Sequence, residues 1–288
     1  MRNMARLCTP DGKCLLCVQL AENKAESIIY SADGQRCISI ADVVKTNKTS
    51  IHILLAKSDQ VKTDTIKRND FNFQCVQDIT NAINSLNSNS KNLIKITPSY
   101  IDNLENSLTP KLGEFSDIEL IMWGDHGGSP NEAGVTGVFA SGNANDWIYV
   151  HYNTTRGHYL TKERINVNNG NPIAINLKLG IKLINYGCYG NVSHNRDRFN
   201  NVFKDFSGEE NYLGKYSEQS KDRVITLDMI SDLLAIGKTY AKKLNIEPEK
   251  LKEAFQKTLE EMEKRPGYID KSELSNRITN IRERLKWH

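Results

Sequence analysis

No stretch of this 288-residue chain approaches the roughly 18 consecutive apolar residues that a membrane span needs. Met1 to Pro10 hold no apolar run of the kind an export signal carries, so a cytoplasmic protein is expected, or one secreted into a host cell without a cleaved signal peptide. Charge of one sign is lacking too: 38 Lys and Arg against 35 Asp and Glu leave a net charge of +3, too even to point to a nucleic-acid partner. There is no internal repeat and no low-complexity tract. With 39% hydrophobic and 25% charged residues the composition is that of a globular chain rather than a disordered or fibrous one. Cysteine is sparse: Cys8, Cys14, Cys17, Cys37, Cys75 and Cys188 are an even number, but without an export signal they read as reduced thiols rather than a disulfide framework.

What is present is an alternation of strand-like and helix-like segments. Cys14 to Leu20 and Ser27 to Tyr30 read as strands, with Asp11-Gly12 and Asp33-Gly34 as turns, which is hairpin-like material for an N-terminal segment of residues 1–50. Ile51 to Ala56 is a dense apolar run of the kind buried on both faces of a sheet. Cys75, Val76, Ile79, Ile83 and Leu86 recur at helical spacing, and Leu93 to Ile96 follows as a strand. A short helix is expected after Pro98, and then the apolar strand Ile118 to Trp123. Val135 to Ala140 and Trp147 to Tyr152 read as an inserted hairpin, and Asn168 to Pro172 as a turn. The last third predicts three helices: one capped by Thr226 with the stripe Leu227, Ile230, Leu233, Leu234, Tyr240, Ala241 and Leu244, one with Pro248 in its first turn that ends near Gly267, and one opened by Asp270 and Glu273. The expected fold class is α/β: a mostly parallel central sheet flanked by helices in residues 51–215, an inserted β-hairpin, and a helical C-terminal region in residues 216–288, which either forms its own bundle or packs on the sheet.

Two short motifs carry the chemistry. Trp123-Gly124-Asp125-His126-Gly127-Gly128 and Asn185-Tyr186-Gly187-Cys188-Tyr189-Gly190 each follow an apolar run, so each sets one reactive side chain where a strand ends in a glycine-rich turn. A thiol attacks as its thiolate, and a turn after a strand presents it to a cleft beside backbone N–H groups, with a histidine available as base. The order of the two motifs resembles clan CD cysteine peptidases, the group of caspases, legumain, gingipain, clostripain and toxin-autoprocessing enzymes. Asp125-His126-Gly127 is similar to the His-Gly pair of legumain and clostripain, and Leu183 to Cys188 to the strand that ends in their cysteine. The resemblance covers about residues 50 to 206. It implies a caspase-like α/β domain, a catalytic dyad of His126 and Cys188, an oxyanion hole from the backbone of Gly127 and Cys188, no cofactor and no metal, and a protein or peptide substrate. The interval of 62 positions from His126 to Cys188 exceeds what a compact member needs, and the inserted hairpin accounts for it. The abundance of Asn, Lys and Ile suits a pathogen effector or self-processing toxin-like protease.

Two other classes compete. Asp-His-Gly after a strand also resembles the metal-binding motif of alkaline-phosphatase-like hydrolases, with Asp125 and His126 as ligands and His151, His158 and His194 as weak further candidates. A binding or scaffold module would use the charged last helix, with Arg277, Arg282, Arg284 and Lys286, to dock a partner. Smaller features add nothing. Cys14 and Cys17 lie in a strand-like run whose alternation points them to opposite faces, against a zinc site with Cys8 and Cys37, and the glycines from Gly124 to Gly137 lack the Gly-Lys-Ser/Thr ending of a phosphate loop.

Overall fold

The computed structural model describes residues 28–44, 49–56, 63–87, 94–101, 118–124, 182–193 and 212–284, with five two-residue strands between 135 and 159. The strand expected at Cys14 to Leu20 and the turn at Asn168 to Pro172 lie outside the described residues. The first described elements are an antiparallel pair, β1 (Ile28–Tyr30) and β2 (Cys37–Ser39), joined through a turn in which Gly34 takes φ +70°, a conformation that favours a residue without Cβ. The turn at Asp33-Gly34 is the expected one, and Cys37–Ser39 is the partner strand. A single helical turn, α1 (Ile40–Val43), follows.

Five parallel strands form the central sheet: β3 (Thr49–Ala56), β4 (Ile94–Ile101), β5 (Ile118–Gly124), β11 (Lys182–Asn185) and β12 (Tyr212–Gly214). Their order is β12-β11-β5-β3-β4, and all four pairings are parallel. The sheet is therefore doubly wound: β4 lies on one side of β3 and the later strands extend on the other. The winding reverses between β3 and β5, the place where open α/β sheets leave a crevice at the carboxyl ends of their strands. The apolar run at Ile51 to Ala56 is a central strand as expected, with Ile51 and Ile53 fully buried. The strand β4 runs through Pro98 to Ile101, which an edge strand permits because one side of its backbone needs no ladder hydrogen bond, and residues 102–117, where the short helix expected after Pro98 would have to fall, lie outside the described residues.

Between β5 and β11 the described residues make two small antiparallel sheets. One is β7 (Ala140–Ser141) with β8 (Ile148–Tyr149); the other sets β9 (Tyr152–Asn153) between β6 (Val135–Thr136) and β10 (His158–Tyr159).

The periodic segment around Cys75 to Leu86 belongs to α2 (Thr63–Asn84), a helix of 22 residues that buries Val76, Ile79 and Ile83 completely. The three C-terminal helices are α3 (Asp222–Leu244), α4 (Glu249–Lys264) and α5 (Lys271–Arg284). Thr226 does not cap α3; the cap is Lys221, and Thr226 lies one turn inside with its hydroxyl bonded to the carbonyl of Asp222 at 2.8 Å. Asp270 caps α5 as expected, accepting from the N–H groups of Ser272 and Glu273, while the Glu273 side chain turns instead to Arg277. Most of the residues of α3 are buried, the pattern of a helix enclosed on several sides. It packs against α1, α2, α5 and β1, and α2 packs against α4 and β4. One continuous apolar core runs from Ile51, Met122 and Ile184 in the sheet through α2 and α3 to Ile281 in α5. The C-terminal helices thus pack with the sheet in a shared core. Each large side chain buried there stabilises the fold by about 1.5–3 kcal/mol.

Candidate functional site

Strands β5 and β11 are neighbours, and Asn185 pairs with Trp123. Both strands point the same way, so the chain leaves the sheet at adjacent positions after Gly124 and after Asn185. Asp125, His126 and Gly127 lie outside the described residues; β5 ends two residues before His126. Cys188 is described in full.

The turn that carries Cys188 is pinned from several directions. Asn185 accepts the N–H of Gly187 on Oδ1 at 2.8 Å, a local turn that reverses the chain as it leaves β11. Its amide donates to the Tyr212 hydroxyl at 3.1 Å, and that hydroxyl donates to the carbonyl of Gly190 at 2.6 Å. The main chain of the next segment closes the turn: Lys215 N–H bonds to the Asn185 carbonyl, Tyr189 N–H to that of Glu218 and Asn191 N–H to that of Tyr216, at 2.8, 3.2 and 2.8 Å. Tyr189 is held at φ +59°, a left-handed conformation that a non-glycine residue keeps only where its surroundings impose it. Gly214 permits the close approach: a Cβ there would lie 2.1 Å from the carbonyl oxygen of Gly190.

Cys188 is 7% exposed. Its sulfur accepts the N–H of Ser220 at 3.3 Å, and the thiol faces the Ser220 carbonyl at 3.5 Å. Ser220 stands just before α3, so the sulfur lies near the N-terminal end of that helix, with a backbone N–H directed at it.

Behind the turn lies a buried polar network. Tyr186 is fully buried, and its hydroxyl donates to Asp232 at 2.7 Å; Lys215 pairs with the same carboxylate at 2.7 Å, with Lys215 and Asp232 side chains 8% and 5% exposed. Tyr216 donates to Asp228 at 2.5 Å, and Arg277 reaches Asp228 at 3.3 Å and Glu273 at 3.1 Å. Burial pushes the Tyr186 and Tyr216 hydroxyls well above the usual phenol range, reinforced by Asp232 and Asp228 respectively. Burial also raises the Asp228 carboxyl, against the opposing pull of Lys215 and Arg277. The N-terminal hairpin joins in, since Asn191 donates to Asp33 at 2.8 Å.

None of Asn185, Tyr212, Lys215, Ser220, Asp228 or Asp232 was assigned a role from sequence. An Asn two residues before a Gly at a strand end is the one local signal among them. The others meet only through the fold, and β12 is three residues long, too short for any periodicity.

The other sequence expectations fare differently. Cys37 is disulfide-bonded, whereas the cysteine count read as reduced thiols; with Cys75 and Cys188 free, its partner lies outside the described residues. An even number of cysteines is compatible with either state, and the absence of a recognisable export signal misdirected the reading. Among the described residues no group of three His, Cys, Asp or Glu side chains is placed to hold a metal ion, and no helix is long and apolar enough to cross a membrane. Of the weak metal candidates, His151 and His194 lie outside the described residues, and His158 lies in β10, paired with Asn153. Compared with protein-family models, curated proteins and solved structures, the chain matches none.

Proposed function

We propose that this chain is a cysteine endopeptidase with a caspase-like catalytic domain, an inserted hairpin between its two motifs, and His126 and Cys188 as the dyad. The observation that carries the reading is the pairing of Asn185 with Trp123 on adjacent parallel strands, which starts both motifs at one edge of the sheet. Two residues of chain separate Gly124 from His126, a reach of about 7 Å at most.

The Cys188 thiolate attacks the scissile carbonyl, with the oxyanion received by the backbone N–H groups of Gly127 and Cys188. His126 gives a proton to the departing amine as the C–N bond breaks, leaving a thioester on Cys188. Water, deprotonated by His126, then cleaves the thioester and releases the acid and the free thiol. The N–H of Ser220 and the start of α3 support the thiolate. The dyad needs no cofactor, and its partner is a protein or peptide substrate. The disulfide at Cys37 favours a chain exposed to an oxidising compartment, as in delivery to a host, over one confined to the cytosol.

One observation favours a second reading. With 7% exposure and its sulfur against the N–H and carbonyl of Ser220, Cys188 also suits a structural thiol in an inert binding module. A thiol-directed peptide probe separates the two. Labelling and peptide cleavage that disappear in Cys188→Ala and in His126→Ala, with circular dichroism unchanged, support the dyad. Cleavage that survives Cys188→Ala sinks it, and cleavage removed by a chelator moves the weight to Asp125 and His126 as metal ligands.

A further inference from the structure

A polar cavity of about 480 Å³ opens between the β1–β2 hairpin, the chain after β12 and helices α3 and α5. Its floor includes Lys215, Tyr216 and Asp232, its walls Asp228, Ser231, Glu273, Arg277 and Arg284, and its rim Glu218 and Lys221. Four acidic and four basic side chains line it, so a ligand of high net charge would find no net counter-charge. The balance is nevertheless uneven from place to place.

Lys215 and Asp232 satisfy each other. Arg277 is shared by two carboxylates, Asp228 and Glu273, which leaves a surplus of negative charge there. Among the described residues Arg284 has no carboxylate partner; its guanidinium donates to the hydroxyl of Ser231. Asp228 and Ser231 are three residues apart on α3, neighbours about 5–6 Å apart on one helix face. A surplus anion and a surplus cation therefore stand side by side. A simple cation would relieve only the first and a simple anion only the second, and an uncompensated charge in a partly buried wall is costly.

We propose that this cavity binds a small zwitterion, an α-amino acid whose ammonium group meets Asp228 and Glu273 and whose carboxylate meets Arg284. The volume is ample for a free amino acid, and the proposal stands whether or not Cys188 is a nucleophile.

The test is calorimetry on the full chain with L-norvaline and its two halves, n-butylamine and pentanoate. Saturable binding of norvaline, at least about tenfold tighter than either analogue, is the expected result, about 1.4 kcal/mol. Arg284→Gln and Asp228→Asn should each weaken norvaline about tenfold while leaving butylamine and pentanoate no tighter. Absence of norvaline binding at millimolar concentration in the wild-type protein overturns the proposal, as does equal binding of either single-charged analogue; neither result depends on a variant folding.

Discussion

Among the described residues the two free cysteines, Cys75 and Cys188, are almost equally buried, at 3% and 7% exposure, yet they sit in opposite kinds of surroundings. Cys75 lies within α2 among apolar side chains, and burial, its main influence, pushes its thiol up to about 12. Cys188 lies on a turn whose other groups are tied by hydrogen bonds, with a backbone N–H aimed at its sulfur. Burial alone does not tell a structural thiol from a reactive one; the partners supplied to the sulfur do. A core that needs only volume would accept many residues at 75, whereas the network around 188 constrains sequence at Asn185, Tyr212, Gly214 and Asp232 together.

Breaking the network should cost most. Asp232→Ala leaves the Lys215 ammonium and the Tyr186 hydroxyl buried without their acceptor, so we expect a loss of about 3–5 kcal/mol in urea denaturation. Asp232→Leu, which also leaves Lys215 unpaired, should be no better, while the pair-removing double change Asp232→Leu with Lys215→Met should recover much of the loss. Gly214→Ala forces a methyl group against the Gly190 carbonyl and should lower stability by about 1–3 kcal/mol, read as a fall in Tm. If Gly214→Ala is neutral, the turn is looser than described.

Sharpening the comparison needs milder probes. In native protein at pH 8, a small alkylating agent should modify Cys188 at least about tenfold faster than Cys75, since a thiol raised from 9.0 to about 12 loses about a thousandfold in thiolate fraction. Mass spectrometry of the labelled peptides decides this, and equal rates would erase the distinction. The smallest effect is on alkaline stability. Between pH 9 and 12 the unfolded chain releases the Cys75 proton while the folded chain retains it, so wild-type stability falls as pH rises through that window. Cys75→Ala removes this slope, and denaturation midpoints of the two proteins should diverge above pH 9.

Much of the architecture is legible in local pattern. The spacing of Val76, Ile79 and Ile83, the run at Ile51 to Ala56 and the stripe on α3 each need only one element to be read, because burial of one face imposes a period. What escapes reading depends on partners remote in sequence. Pro98 is compatible with β4 because that strand is at the edge, a property of the whole sheet. Thr226 looks like a cap but is preceded by a further helical turn whose first residues carry no strong signal. Of the candidate site, Cys188 at a strand-end turn was legible and the groups that hold it were not; His126 and Gly127 lie beyond the described residues.

The bond from Asn191 to Asp33 spans 158 positions of the chain, and that from Tyr186 to Asp232 spans 46. During synthesis, therefore, the turn at 188 leaves the ribosome after Asp33 but before α3 exists to receive it, and must wait for the residues that follow. Contacts of such separation form late and slowly. The chain assembles its scaffold first and completes the surroundings of the Cys188 thiol last, so a truncated or nascent chain carries Cys188 without the environment that distinguishes it.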